Sequence, residues 1–369
     1  MSNKPLIILT AGGTGGHVFP AESLAEELSA RGYELALVTD SRGKNNYRGK
    51  LGEIKNYSVL AGAIVGKSKL FKLKSLFKTC IGILQATYIL IKRKPVCVVG
   101  FGGYASFPCC TAAILLRKSL VIHEQNSVMS RTNRILSKYA TFVAKSFDNT
   151  KHIPNNIPQI LTGMPIRKNI ADLNNRQYLS HNDNNLFQLL VIGGSQGAKI
   201  FGEVIPNAIK SLPQEIQNKI EIYHQCRKDD VDTIKTEYNG CSAKTTVSHF
   251  FENMAELYTN TSLIISRAGA SSIAEITAAK LPSILIPLPT AADNHQSTNA
   301  LPIKEKMGGY IIEQQEFNSD DLKNMLEQLI SNETTLKEMS NNTSTLSITD
   351  ASKRFANAIE NKILKQGTN

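Results

Sequence analysis

Lys4-Pro5-Leu6-Ile7-Ile8-Leu9-Thr10 runs straight into Ala11-Gly12-Gly13-Thr14-Gly15-Gly16-His17. An apolar run broken by a cluster of glycines reads as a strand ending in a turn. An apolar-periodic helix follows from Pro20 to Ala30 and stops at Gly32, and Leu35 to Thr39 is apolar again. This is the βαβ unit of a doubly wound parallel sheet. Glycines at such a turn let backbone N–H groups approach a ligand at a helix start, where anions and acceptor oxygens are favoured. The turn is not the dinucleotide fingerprint. From Gly13 it reads G-x-G-x-x-Val, without the third small residue, and Asp40 lies at the wrong spacing for a ribose acid.

Working outward, Val96 to Phe101 followed by Gly102-Gly103 repeats the strand-then-glycine theme, and Ser119 to His123 and Thr141 to Ala144 add short strands. The theme restarts with Leu189 to Ile192, Gly193-Gly194-Ser195-Gln196-Gly197-Ala198 and a helix through Ile209. Ile220 to His224, Ser262 to Ser266 and Ser283 to Pro287 read as further strands. Two halves that open alike predict an α/β protein of two Rossmann-like domains. The polar, Asn-rich stretch from Gly163 to Asn185 is the join. We place the domains at residues 1–162 and 163–349, with a last helix in residues 350–369 packing back on the first. Residues 332–348 are Ser/Thr/Asn-rich and read as a lead-in to that helix.

The net charge of +11 is local. Between Glu53 and Glu124 there are eleven basic residues and no acid, and the rest of the chain carries 31 of each sign. The same block holds Leu70, Leu73, Phe77, Ile81 and Leu84 at helical spacing, with Lys72, Lys74 and Lys78 between them. A basic helix with an apolar stripe suits the headgroup layer of an anionic membrane. A buried helix whose lysines only solvate its outer face is the alternative. The apolar run from Cys80 to Ile91 is shorter than the ~20 residues a span needs. No nucleic-acid motif accompanies the charge. Six cysteines without metal spacing, in a chain whose N-terminus lacks a signal-peptide cleavage site, read as reduced and cytosolic.

Two further matches are discounted. Ala61-Gly62-Ala63-Ile64-Val65-Gly66-Lys67-Ser68 mimics a P-loop, but the strand before it, Tyr57 to Leu60, is weak and the next acid is Glu124. Asp230-Val231-Asp232 reads as a solvated helix start, so neither metal nor cofactor is expected. Ser266-Arg267-Ala268-Gly269-Ala270-Ser271-Ser272-Ile273-Ala274-Glu275 is richer. A strand enters a small-residue turn, two hydroxyls begin a helix fit to hold a diphosphate, and Glu275 follows one turn later, where a carboxylate can accept from ribose hydroxyls.

Taken in order, GGTGGHVFP (12–20), GFGGYASFP (100–108), HEQN (123–126), GMPIR (163–167), GGSQGA (193–198), SRAGASSIAE (266–275) and DNHQxxNA (293–300) resemble the MurG family. Its members are UDP-N-acetylglucosamine:N-acetylmuramyl-(pentapeptide)-pyrophosphoryl-undecaprenol N-acetylglucosamine transferases. The resemblance spans about residues 5 to 305. It implies a GT-B fold, with parallel sheets facing a deep cleft that holds the active site. It also implies an inverting transfer of GlcNAc from UDP-GlcNAc to the C4 hydroxyl of lipid I, giving lipid II, at the cytoplasmic face of the bacterial inner membrane. Other cell-wall synthesis proteins are conceivable partners; nucleic acid is not. A related transferase acting on diacylglycerol, or a non-catalytic sugar-nucleotide-binding membrane subunit, stays open.

The resemblance also implies roles. Thr14, Gly15 and Gly16 match the loop facing the donor sugar and acceptor diphosphate, and His17 matches a candidate general base. Asn126 matches a donor-sugar contact. Arg167 and Ser195 match contacts at the nucleotide end. Ala270, Ser271, Ser272, Ile273, Ala274 and Glu275 match the uridine–ribose–diphosphate segment, with Glu275 on the ribose. Gln296 matches a contact to GlcNAc hydroxyls. Phe251 stands where an aliphatic residue, read through its backbone by uracil, is usual, and Met164 stands where Asn is usual.

Overall fold

A computed structural model describes residues 5–12, 15–40, 47, 49–62, 69–178, 186–194 and 197–364, with the backbone alone at 69 and 70. Thr14, Ser195 and most of the P-loop-like stretch therefore lie outside the described residues, as does the Leu70 side chain.

Among the described residues the chain forms two compact units, 1–167 with 350–369, and 168–349. In the first, strands β1 (Leu6–Thr10), β2 (Glu34–Thr39), β3 (Lys55–Ser58), β4 (Cys97–Gly100), β5 (Ser119–Glu124), β6 (Phe142–Lys145) and β7 (Gln159–Leu161) form one sheet. Its order is β3-β2-β1-β4-β5-β6-β7, and every neighbouring pair is parallel. In the second, β8 (Phe187–Ile192), β9 (Ile220–Gln225), β10 (Lys244–Ser248), β11 (Leu263–Ser266), β12 (Ser283–Leu285) and β13 (Gly309–Ile311) order as β10-β9-β8-β11-β12-β13, again all parallel. Central strands such as β1 (LIILT) and β8 (FQLLVI) are apolar almost throughout because helices cover both faces. In each sheet the order reverses once, between β1 and β4 and between β8 and β11. Ligands of open α/β sheets bind beside the carboxyl ends of the strands at that reversal.

The first helix runs Gly15–Ala30, five residues earlier than its apolar periodicity indicates, so His17 lies in its first turn. Pro20 removes one N–H from the ladder; its lost acceptor, the Gly16 carbonyl, belongs to an exposed residue of that turn. The helix Ala351–Ile359 packs on it and buries Phe355, Ala356 and Ile359 in the core of the first unit. Arg31 clamps this contact, donating to Glu27 (2.8 Å), Asn357 (2.7 Å) and Glu360 (2.9 Å).

Residues 333–344, read from sequence as a polar lead-in, are a helix of the second unit. Asn332 caps it by accepting from the Thr335 N–H at 3.0 Å, and Leu336 and Met339 enter the core. Polar side chains outnumber apolar ones there because the helix has a single narrow buried face.

The helix Lys69–Arg93 buries its small side: Ser75, Thr79, Gly82, Ala86 and Leu90. A Cβ on Gly82 would fall 1.8 Å from the Leu60 carbonyl oxygen, so glycine permits this close approach. The large apolar residues Leu73, Leu76, Phe77, Leu84, Tyr88 and Ile91 face outward instead, as do Lys72, Lys74 and Lys78. The solvent side of the helix thus carries both lysines and most of its large apolar side chains, and Ile81 is half-buried at the margin. No helix among the described residues is long and apolar enough to cross a membrane.

Candidate active site

At the reversal of the first sheet, the turns after β1 and β4 meet around His17. Cβ atoms built on Gly12, Gly102 and Gly103 would lie 3.6, 3.5 and 3.4 Å from its ring. Gly102 and Gly103 also have φ of +83° and +76°, which L side chains rarely adopt. The glycine pair of GFGGYASFP therefore borders the imidazole through a backbone conformation that favours glycine. Nδ1 of His17 is buried and makes no hydrogen bond. Burial pushes its pKa below the usual 6.5, while the Phe101 carbonyl pulls it up by less. The ring is neutral at pH 7, as a proton acceptor must be.

One strand over, HEQN is held by Glu124. This fully buried carboxylate accepts from the backbone N–H groups of Asn126 and Ser130, both at 3.0 Å, and from Asn133 Nδ2 at 2.7 Å. Burial raises its pKa, and those donors pull it back down. Gln125 Nε2 donates to the Phe101 carbonyl at 2.6 Å, tying this loop to the glycine turn. His123 is buried beneath, stacked on Phe355 with centroids 5.4 Å apart. Burial is the main force lowering its pKa to about 3, so this histidine stays neutral. Arg167 stands over Phe19 of the His17 helix, 5.4 Å from the ring centroid.

At the reversal of the second sheet, the turn after β11 is braced on three sides. Arg267, almost fully buried, donates to the carbonyls of Ile286 (3.1 Å) and Pro287 (3.2 Å) and to Gln314 (2.6 Å). Its guanidinium also lies over Phe201, 5.0 Å from the centroid. Asn299 donates to the Ala268 carbonyl at 3.2 Å. The helix Ala270–Ala278 starts from this fixed turn with Gly269 as N-cap, so its first N–H groups have no side-chain acceptor. The Ser271 hydroxyl is buried and has no partner. Glu275 follows on the same helix, its Oε2 accepting from the Tyr258 hydroxyl at 2.9 Å.

Beside this helix start, Gln296 is oriented by its carbonyl oxygen, which accepts from the Leu288 N–H at 2.9 Å and leaves the amide NH2 to act. Asp293 and Asn294 just before it both have left-handed φ, 53° and 52°. In the turn after β8, Gly197 (φ +66°) presses on Arg227, which a Cβ would meet at 2.7 Å. Phe251 packs edge-on to Tyr223, centroids 6.0 Å apart, beside a cavity of about 230 Å³ that also involves Gln188 and Asn253.

The first unit thus gathers Gly15, Gly16, His17, Asn126 and Arg167, and the second Ala270–Glu275 and Gln296. Sequence reasoning assigned no role to the supporting side chains Glu124, Asn133, Arg267, Asn299 and Tyr258. Glu124, Arg267 and Asn299 lay inside the motifs that it quoted, whereas Asn133 and Tyr258 lay outside them. Among the described residues no three His, Cys, Asp or Glu side chains cluster as a metal site would require.

Two parallel sheets of Rossmann type, each with a glycine-rich helix start at its reversal, make the GT-B fold. The N-terminal domain of glycosyltransferase family 28 matches residues 7–145, and its C-terminal domain matches residues 188–355. A UDP-N-acetylglucosamine--N-acetylmuramyl-(pentapeptide) pyrophosphoryl-undecaprenol N-acetylglucosamine transferase of Paramagnetospirillum magneticum is 42% identical over 330 residues, 89% of each chain. The enzyme of that name from Rickettsia bellii is 41% identical over 339 residues, 91% of this chain and 94% of its own. The crystal structure of Acinetobacter baumannii MurG matches with a TM-score of 0.77 at 29% identity, over 97% of this chain and 99% of that one. The chain belongs to the MurG family of N-acetylglucosamine transferases within glycosyltransferase family 28.

Proposed function

We propose that the chain transfers N-acetylglucosamine from UDP-N-acetylglucosamine to the C4 hydroxyl of lipid I, with inversion at the donor carbon. The substrates follow from the relatives' names. The observation that carries the donor assignment is the braced helix start at Ala270, with its partnerless Ser271 hydroxyl and Glu275 one turn further on. Backbone N–H groups and that hydroxyl would meet the diphosphate, and the helix N-terminus would favour the charge that builds on it as UDP leaves. Glu275 accepts from the ribose, Phe251 reads the uracil through its backbone, and the Gln296 amide donates to sugar hydroxyls. Thr14 and Ser195 keep the donor-loop roles that their motifs imply.

His17 takes the proton from the attacking hydroxyl. Its neutral ring and bordering glycines support that role. Arg167 and Asn126 complete the contacts to phosphate and sugar. The outward apolar face of the helix Lys69–Arg93, with Lys72, Lys74 and Lys78, suits an anionic membrane surface that bears a polyprenyl-linked acceptor.

The test is UDP release with lipid I or diacylglycerol as acceptor, beside thermal shifts with UDP, UDP-GlcNAc and NAD. Release only with lipid I, and stabilisation by the uridine nucleotides but not NAD, is expected. Release with diacylglycerol alone would overturn the acceptor assignment.

A further inference from the structure

Glu275 lies one turn into the helix Ala270–Ala278, and one of its carboxylate oxygens is already engaged. The Tyr258 hydroxyl donates to Oε2 at 2.9 Å. Tyr258 is only 3% exposed, so its ring is fixed by packing. It sits on a separate helix, Met254–Asn260, whose end is tied to the Glu275 helix by one side chain. Arg176 donates to the Tyr258 carbonyl, to the Thr261 carbonyl at 2.7 Å and to the Ala279 carbonyl at 3.3 Å. The last of these lies at the end of the Glu275 helix. The two helices are thus held in register, and the hydroxyl is held against one side of the carboxylate.

A glutamate side chain has three rotatable bonds and loses rotamer freedom when ordered. A carboxylate has about four acceptor sites. A donor that takes one of them from the protein side fixes the carboxylate plane.

Resting on the donor assignment above, we propose that Tyr258 is a positioning residue. Its hydroxyl pre-orients Glu275 so that the carboxylate accepts from both ribose hydroxyls at once, which makes the site discriminate ribonucleotides from 2′-deoxyribonucleotides. It touches no substrate.

The experiment measures binding of UDP and of 2′-deoxy-UDP by calorimetry to wild type, Tyr258→Phe and Glu275→Gln. Phenylalanine keeps the ring and removes one atom. The expected result is that Tyr258→Phe weakens UDP about fivefold to tenfold and binds 2′-deoxy-UDP nearly as wild type does, so that the preference between them collapses. In steady state the KM for UDP-GlcNAc rises while kcat holds. A buried tyrosine that serves only packing would lower the melting temperature and leave the UDP to 2′-deoxy-UDP ratio at its wild-type value. That outcome overturns the proposal while leaving the donor site standing. Should Glu275→Gln bind UDP as tightly as wild type, the donor assignment itself falls, and the role of Tyr258 with it.

Discussion

The imidazole of His17 rests against Gly103: a Cβ on that glycine would lie 3.4 Å from both Nε2 and Cδ2 of the ring. The two residues come from turns about 85 residues apart in sequence, brought together because β1 and β4 are neighbours. Gly103→Ala would put a methyl group in contact with the ring and, more costly, a side chain at φ +76°. The left-handed conformation alone costs about 1–2 kcal/mol. Activity should fall at least tenfold while the protein remains folded by circular dichroism. Unchanged kcat would mean that this glycine does not matter.

His17→Ala should lower kcat by roughly 10²–10⁴ with little change in KM for the donor. The direction of the pKa shift sets the pH profile. Burial holds the pKa below 6.5, so the base is free throughout neutral pH, and kcat should decline only as acid is added past that point. A limb centred above pH 7 that disappears in the variant would contradict the environment described for the ring.

Acid should also loosen the second unit through His224. Its ring is buried, with Nδ1 3.0 Å from the Tyr238 hydroxyl, and burial holds its pKa at about 4. The unfolded imidazole takes a proton near pH 6.5 and the folded one does not, so stability is full above 6.5 and lost as pH falls toward 4. At pH 5 the loss from this group is about 2 kcal/mol. Urea unfolding of His224→Gln at pH 7.5 and pH 5 should show a smaller difference between the two pH values than wild type does.

Much of this was legible in sequence, for reasons that also mark the boundary. Central strands such as β1, β4, β8 and β11 are buried on both faces and must be apolar runs, so they announce themselves. β7, β10 and β13 did not, and β3 was read only as a weak strand set two residues late. All four are sheet edges (KNYS, QIL, KTTVS, GYI), where burial is partial and composition is free. The glycine turns were visible as motifs, yet their joint role around His17 depends on strand order, which no local window contains. The role of Glu124, inside a motif, and of Tyr258, outside all of them, could not be read because a buried polar side chain is explained only by partners distant in the chain.

Arg267→Lys tests whether the bracing of the donor turn matters. Lysine keeps the charge but cannot span the two carbonyls and Gln314 together. We expect a stability loss of about 1–3 kcal/mol and a several-fold rise in KM for UDP-GlcNAc. A variant with wild-type melting temperature and KM would show that the turn is held by its backbone alone.

The membrane assignment is tested on the outward face of the helix Lys69–Arg93. Phe77 and Leu84 are 69% and 70% exposed, so Phe77→Asp with Leu84→Asp should leave folding intact. Binding to vesicles rich in anionic phospholipid should drop at least tenfold in co-sedimentation, given roughly 1.5–3 kcal/mol for each large side chain withdrawn from water. Equal binding by the double variant would place any membrane contact elsewhere.

Phe355 reaches His123 only after residues 168–349 have been synthesised. A ribosome therefore delivers the contiguous second unit complete while the first still lacks part of its apolar interior. The nascent amino-terminal half must wait with that surface unsealed, reversing the usual order in which domains mature during translation. Expressing residues 1–167 alone would reproduce this unfinished state permanently, and such a fragment should aggregate unless residues 350–364 are supplied alongside it.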